Sequence, residues 1–449
     1  MSAGNRPAPG AEPPPGQAAP AAPRWKQLLA LLSLALSLLL WLNGLIDSLS
    51  RPSVGNDLNR RQLELALLAE PSLPPQLRPL ISGNEPRRAL SDALAQEISN
   101  DAESGSPPAQ ELQLLQSGLQ LQLRGEEQLA RPPLEQVLQA SAPASGRTAR
   151  LAAALLQPDA ADVRAASQQA AWQLLAITVL PALVLLIGVA LLLRELWQRW
   201  RGRAAPAAAL QGPALSGLDA VLLIAGGFVV VGELLTPLLV GPALQELLRA
   251  QAIASPLREG LSVLGLYLAL MAGPLLILAL QLRGLGAAPE GGWLQFRWLP
   301  LGSALRRALR TLLMVLPLVS LAGWLQGQLW NEASGSNPLL ELVLNSHNGA
   351  ALACFAITAV VLAPLFEETI FRGVLLPVAA RELGGLWGVV LSALVFAVAH
   401  LSLGELVPLL VLGLGLGWLR WSGGRLSSCV LMHALWNGLT FTNLVLLGW

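Results

Sequence analysis

Apolar stretches dominate the 449-residue chain and are separated by short polar segments. A helix needs about 20 mostly apolar residues to cross a bilayer. About eight stretches meet this length, at residues 28–46, 172–193, 218–240, 260–282, 309–327, 349–367, 385–401 and 426–447. A ninth, at residues 405–419, is shorter and glycine-rich. The pattern predicts an all-α, polytopic bundle of eight to nine transmembrane helices.

Two segments near the N-terminus break this pattern. Residues 1–23 are rich in proline, alanine and glycine, so they are expected to be disordered. Residues 24–47 contain an apolar run too long for a signal peptide, which predicts a retained first transmembrane helix. Residues 48–170 repeat leucine among glutamine, glutamate and arginine, as in ELQLLQSGLQLQLRGEEQL. This pattern predicts an extramembrane helical insert.

The rest of the chain divides into two membrane regions. Residues 171–345 hold transmembrane helices and a basic, aromatic-containing segment at 284–308, which is expected at the membrane interface. Residues 346–449 hold the last helices. Charged residues make up 13% of the chain, against about 25% in soluble domains. The net charge of +1 gives no indication of a nucleic-acid partner, so the expected surroundings are membrane lipid.

Arginine and lysine cluster beside four of the predicted helices. The clusters are Arg24 with Lys26; Arg194, Arg199, Arg201 and Arg203; Arg283, Arg297, Arg306, Arg307 and Arg310; and Arg420 with Arg425. Nine helices place all four clusters on one side, and basic loops favour the cytoplasm. The N-terminus and basic loops are therefore predicted to be cytoplasmic, with residues 48–170 on the other side.

Polar side chains interrupt the apolar runs at three places in the last hundred residues. They are Glu367, Glu368 and Arg372 in FEETIFR, His400 in FAVAH, and His433 with Asn437 in HALWN. Such groups are costly within a membrane. The i,i+4 spacing predicts an ion pair between Glu368 and Arg372. Glu367 is rotated by about 100° from Glu368, so it is left for another role.

Helix lengths predict that these groups meet. A hairpin at Gly384 brings Glu367 and His400 to similar depth. Counting from the start of the last helix places His433 about 10 Å nearer the cytoplasmic end. A break at Pro377, which would turn the following residues along the membrane surface, would improve the agreement.

A carboxylate, two imidazoles and a carboxamide in a half-buried pocket suit the activation of water for attack on an amide. Glu367, His400 and His433 also match a catalytic zinc site with an open position. The two cysteines lie in no motif with histidine, and no GxSxG stretch occurs. A protein or peptide is thus the expected substrate. Two histidines and a carboxylate are a common zinc set, so a metal-bound water with zinc as the cofactor is favoured, and a metal-free glutamate mechanism is the alternative.

The three motifs resemble the EExxxR, FxxxH and HxxxN/B motifs of the CPBP family, over residues 350–445. That family comprises the type II CAAX prenyl proteases and the bacteriocin-processing, or Abi, proteins. The resemblance implies an intramembrane metalloendopeptidase that cuts a membrane-associated or lipidated protein. It assigns the general base to Glu367, and it leaves open whether a metal ion or the glutamate alone activates the water.

The resemblance also implies roles for the other motif residues. Glu368 and Arg372 would support the base, and His400 would position the water or the metal. His433 and Asn437 would complete the metal ligands or bind the oxyanion.

Two alternatives remain at this point. The first is a non-proteolytic scaffold or regulator of the same superfamily. The second is a transporter whose charges line a permeation path. The confinement of polar groups to the last third, and the lack of a detected inverted repeat, count against the transporter.

Overall fold

The computed structural model describes residues 22–51, 54–76, 78–81, 83–103, 110–140, 147–203, 209–329, 335 and 337–448. All regular elements within these ranges are helices, which confirms the predicted all-α class. Most of the predicted disordered tail, residues 1–21, lies outside the described residues.

Eight helices are long and apolar enough to cross a membrane. They are α1 (Arg24–Ser48), α8 (Ala161–Trp200), α9 (Gly217–Ala250), α10 (Leu257–Arg283), α11 (Leu301–Leu329), α13 (Gly349–Leu383), α15 (Leu406–Gly423) and α16 (Leu426–Gly448). A shorter apolar helix, α14 (Gly385–Val398), lies between α13 and α15. The prediction of eight to nine membrane helices is confirmed, although α9 and α13 extend well past the expected ends at 240 and 367.

The helix that carries both glutamates, α13, is not a regular α-helix. It contains π-helical segments at Ile357–Leu362 and Thr369–Leu375, and α9 contains another at Leu222–Leu235. The helix continues through Pro377 to Leu383, so the break considered at that proline is absent. Transmembrane helices tolerate proline where local π-helical adjustments satisfy the freed backbone groups.

An irregular segment caps the start of the last helix, α16. The backbone N–H groups of Leu426 and Ser427 donate to the carbonyls of Gln295 and Phe296, at 2.9 and 3.1 Å. Gln295 is only 1% exposed, so this part of the predicted interfacial segment turns into the protein. His433 Nδ1 lies 2.9 Å from Glu368 Oε1, so the depth mismatch of about 10 Å expected for His433 is absent.

The insert forms a helical domain with its own core. Its helices are α2 (Val54–Ala69), α3 (Arg78–Ile81), α4 (Pro86–Glu103), α5 (Gln110–Leu123), α6 (Glu127–Ala140) and α7 (Arg147–Leu156). Buried leucines from these helices pack together, and the core continues to Leu174 on α8. The predicted boundary at residue 170 thus falls inside the 40-residue helix α8.

The insert lies against the end of the bundle where α16 finishes. Arg61 donates to the Leu344 carbonyl and to Asn345 Oδ1, near the end of α12 (Pro338–Asn345). Arg147 donates to the Leu446 carbonyl. At the same end, the Leu403 N–H donates to Ser48 Oγ. The α14–α15 connection, which follows His400, is therefore on the insert side of the bundle.

Candidate active site

A buried ion pair on α13 forms the floor of the site. Arg372 donates to Glu368 Oε1 at 2.8 Å, and both side chains are fully buried. Arg372 also donates to the Gly413 carbonyl at 3.1 Å, and its guanidinium lies over the ring of Phe396 at 4.4 Å. The i,i+4 pair predicted from the sequence is present, and it also joins α13 to α14 and α15.

His433 on α16 is oriented by the same carboxylate. Its Nδ1 lies 2.9 Å from Glu368 Oε1. A carboxylate that pairs with arginine accepts hydrogen bonds, so Nδ1 carries the proton. The neutral imidazole then has its lone pair on Nε2, which faces away from the ion pair.

His400 is oriented by the end of α14. Its Nδ1 lies 2.8 Å from the Phe396 carbonyl, which can only accept a hydrogen bond, so this imidazole also carries its proton on Nδ1. The Phe396 ring meets both imidazole rings edge-on, at centroid distances of 4.7 Å for His400 and 5.6 Å for His433. The fully buried Phe396 ring therefore packs against both imidazoles.

Glu367 faces both of these Nε2 atoms. Its Oε2 is 4.0 Å from Nε2 of His400 and 4.0 Å from Nε2 of His433. The Glu367 side chain is 15% exposed, yet this buried oxygen has no hydrogen-bond partner. The other oxygen, Oε1, accepts from the hydroxyl of Tyr267 at 3.2 Å.

At 4.0 Å, each Nε2 atom is too far from Glu367 Oε2 for a direct hydrogen bond, but it is close enough for one water molecule to bridge the two atoms. Direct N–H···O bonds end at about 3.2 Å. A single water molecule about 2.8 Å from each atom, at an angle near 90°, would bridge Glu367 Oε2 to either Nε2 atom.

Zinc does not fit this arrangement without movement. At Zn–N and Zn–O distances of about 2.0–2.2 Å, tetrahedral ligand atoms lie roughly 3.4 Å apart, so each pair would have to close by about 0.6 Å. Within the described ranges, no group of three histidine, cysteine, aspartate or glutamate side chains is placed to hold a metal ion. The donor types suit zinc, so the zinc site stays a prediction.

Asn437 lies one turn beyond His433 but has a different partner. Its Nδ2 donates to the Ala359 carbonyl at 2.7 Å. Ala359 belongs to the first π-helical segment of α13, about two turns before Glu367. The structure thus brings Glu367, Glu368, Arg372 and the two histidines together and holds Asn437 beside them without a hydrogen bond to the group.

Three polar side chains near Glu367 were not recognised in the sequence. Tyr267 on α10 contacts Glu367 directly. Glu233 on α9 interacts electrostatically with Glu367 and accepts from Trp41 Nε1 of α1 at 3.1 Å. The expectation that polar groups are confined to the last third is therefore wrong. An acid inside the apolar run 218–240 was the signal that could have revealed Glu233.

The comparison with protein families agrees with the three motifs. Residues 349–439 match the family model described as Type II CAAX prenyl endopeptidase Rce1-like. This match includes all six motif residues and confirms the resemblance to the CPBP family. Residues 55–180 match a domain of unknown function, DUF8675. No curated protein and no solved structure matches the chain. The eight apolar helices of the described residues indicate an integral membrane protein, and residues 349–439 resemble the CAAX protease family.

Proposed function

We propose that this chain is an intramembrane endopeptidase that hydrolyses a peptide bond of a membrane-associated or lipidated protein, with Glu367 activating the water. One observation carries the proposal. Glu367 Oε2 has no hydrogen-bond partner and lies 4.0 Å from the Nε2 atoms of both His400 and His433. An unpaired carboxylate oxygen and two unprotonated nitrogens, each at a distance that one water molecule can bridge, favour hydrolysis.

The water held there has two protons to donate. One goes to Glu367 Oε2, which acts as general base, and the other is held by the Nε2 lone pair of His400. The oxygen attacks the carbonyl carbon, the peptide carbonyl oxygen becomes an oxyanion, and Glu367 then returns its proton to the departing nitrogen. The products are a carboxylic acid and an amine, so the reaction consumes one water.

His433 can assist the oxyanion only in one protonation state. Its Nδ1 proton is committed to Glu368, so Nε2 donates to an oxyanion only when the ring is doubly protonated. The carboxylate of Glu368 would stabilise that imidazolium. Asn437 would have to leave the Ala359 carbonyl to act as a second oxyanion donor.

A cavity between membrane helices is evidence for an apolar substrate group. Its volume is about 400 Å³, and side chains from α1, α9, α13 and α14 line it, nearly all of them apolar. Trp41 lines this cavity and also donates to Glu233, which interacts with Glu367. The match to a family described by CAAX prenyl endopeptidases also favours a lipidated substrate.

Zinc is the alternative source of an activated water. Glu367, His400 and His433 would hold the ion, and a bound zinc ion would acidify its water and polarise the carbonyl. The side chains would first have to close by about 0.6 Å per pair, so the water-only mechanism requires less rearrangement.

One observation also supports the alternative function of a transporter. Glu233, Tyr267, Glu367 and the histidines form a set of polar groups that spans four membrane helices, and such sets can relay protons. A transporter would not cleave peptides, so peptide cleavage distinguishes the two functions.

The decisive experiment uses the full-length protein in lipid vesicles. The probe is a quenched-fluorescent peptide ending in a CAAX sequence with a farnesylated cysteine, and the unfarnesylated peptide is the substrate control.

Glu367→Gln is expected to lower kcat by about a hundred- to ten-thousandfold, the usual contribution of a general base. Glu246→Gln, an exposed glutamate on α9, is the matched control. Equal cleavage by Glu367→Gln and wild type would refute the proposal. The same inactive variant can be expressed in cells to capture protein substrates for identification.

A further inference from the structure

Helices outside the family-matched segment supply the only hydrogen bond that Glu367 receives in the described part of the chain. Tyr267, on α10, donates to Oε1 at 3.2 Å. It is the single tyrosine of the sequence. Its ring meets the Phe366 ring edge-on at 6.3 Å, at an interplanar angle of 88°. The ring is thus fixed by its neighbour while the hydroxyl reaches the carboxylate.

This bond restrains the rotation of the carboxylate, so one oxygen is held by Tyr267 while the other faces the histidines. The last torsion of a glutamate has a broad, roughly two-fold energy profile, so an unrestrained carboxylate rotates readily. With Oε1 held by Tyr267, Oε2 points towards the two Nε2 atoms. Without the hydroxyl, the carboxylate would lose this restraint at little cost to the rest of the fold.

A second carboxyl group interacts electrostatically with Glu367 but has a different hydrogen-bond donor. Glu233 accepts a hydrogen bond from Trp41 Nε1 at 3.1 Å. A tyrosine has one proton to donate, and the hydroxyl of Tyr267 donates it to Glu367.

We propose that Tyr267 is a positioning residue for Glu367, holding one carboxylate oxygen so that the other faces the two histidines. The inference rests on the proposed protease function. It assigns a role in catalysis to α10, which lies outside residues 349–439.

The first test is Tyr267→Phe, assayed with the farnesylated peptide in vesicles. Loss of an orienting contact can cost about a hundredfold in rate, so kcat is expected to fall about 10- to 100-fold with KM within about twofold. A purely structural role would lower the amount of folded enzyme without changing kcat per active site. Wild-type kcat in folded Tyr267→Phe protein would overturn the inference and leave the proposed function intact.

A second measurement does not depend on peptide cleavage. In a crystal structure of Tyr267→Phe, the Glu367 carboxylate should be rotated or disordered relative to the histidines. An unmoved carboxylate would overturn the inference. If instead Glu367→Gln cleaves as wild type does, the proposed function fails, and this structural comparison still decides whether Tyr267 positions Glu367.

Discussion

Glu368 accepts a hydrogen bond from Nδ1 of His433 at 2.9 Å, and this bond determines which imidazole nitrogen faces the reaction space. The same oxygen accepts from Arg372, so the arginine stabilises the charge that orients the histidine. Glu368 therefore orients His433, while its neighbour Glu367 faces the Nε2 atoms of both histidines. The two adjacent glutamates have different partners because about 100° of helix rotation separates them.

The first prediction concerns Arg372. Arg372→Ala leaves the fully buried Glu368 carboxylate with only His433 as partner. Removing one member of a buried pair typically costs about 3–5 kcal/mol, so the variant should give less folded protein and unfold at lower temperature. Thermal unfolding in detergent measures this, with the exposed Arg194→Ala as control. A wild-type unfolding temperature would show that the pair contributes little to stability.

The second prediction separates the water-only mechanism from zinc. The 4.0 Å distances favour a water held without an ion, so protein treated with chelator is expected to keep its peptidase activity. Elemental analysis should find zinc at background in both wild type and His433→Ala. A zinc enzyme would behave differently: chelator would abolish activity, zinc would restore it, and His433→Ala would lose bound metal. Activity of the zinc enzyme would also fall in acid, because protons compete with the ion for the imidazoles.

The sequence predicted the parts of the site that depend on local spacing. The ion pair of Glu368 with Arg372 follows from one helical turn, and the similar depth of Glu367 and His400 follows from counting along a hairpin. The cap of α16 could not be predicted, because the first N–H groups of this helix bond to the carbonyls of Gln295 and Phe296, about 130 residues earlier in the chain.

The neighbours of the base were missed for a related reason. Tyr267 and Glu233 lie on separate helices with no motif between them, and only tertiary packing brings them to Glu367. Each π-helical segment of α13 ends two residues before a proline, Pro364 or Pro377, so proline marks these segments in the sequence. A general search for acids within apolar runs would have identified Glu233 as a candidate.

The third prediction concerns orientation. The insert lies at the bundle end opposite the arginine clusters, so basic-loop orientation places it outside the cytoplasm. In a protein lacking Cys354 and Cys429, a cysteine replacing Arg88, whose side chain is 69% exposed, should react with an impermeant maleimide in intact cells. A cysteine replacing the exposed Arg203, at the other end of α8, should react only after lysis. The reverse labelling pattern would mean that the orientation is inverted.

The last prediction concerns Glu405, immediately before α15, and the pH dependence of stability. Burial raises the pKa of Glu405 above its ordinary value of 4.5, although the Asn337 N–H and the nearby His400 partly oppose the shift. The folded state thus binds the Glu405 proton more tightly than the unfolded state does. The resulting stabilisation is complete below pH 4.5 and is lost as the pH rises through the folded-state pKa. At neutral pH the ionised, buried carboxylate therefore lowers stability.

Glu405→Gln keeps an oxygen for the Asn337 N–H and removes the charge, so its unfolding temperature should exceed that of wild type at pH 7. The difference should shrink as the pH approaches 4.5, which differential scanning fluorimetry from pH 4 to 8 can follow, with Glu246→Gln as the control. A difference that stays constant over that range would show that ionisation of Glu405 does not affect the stability of the fold.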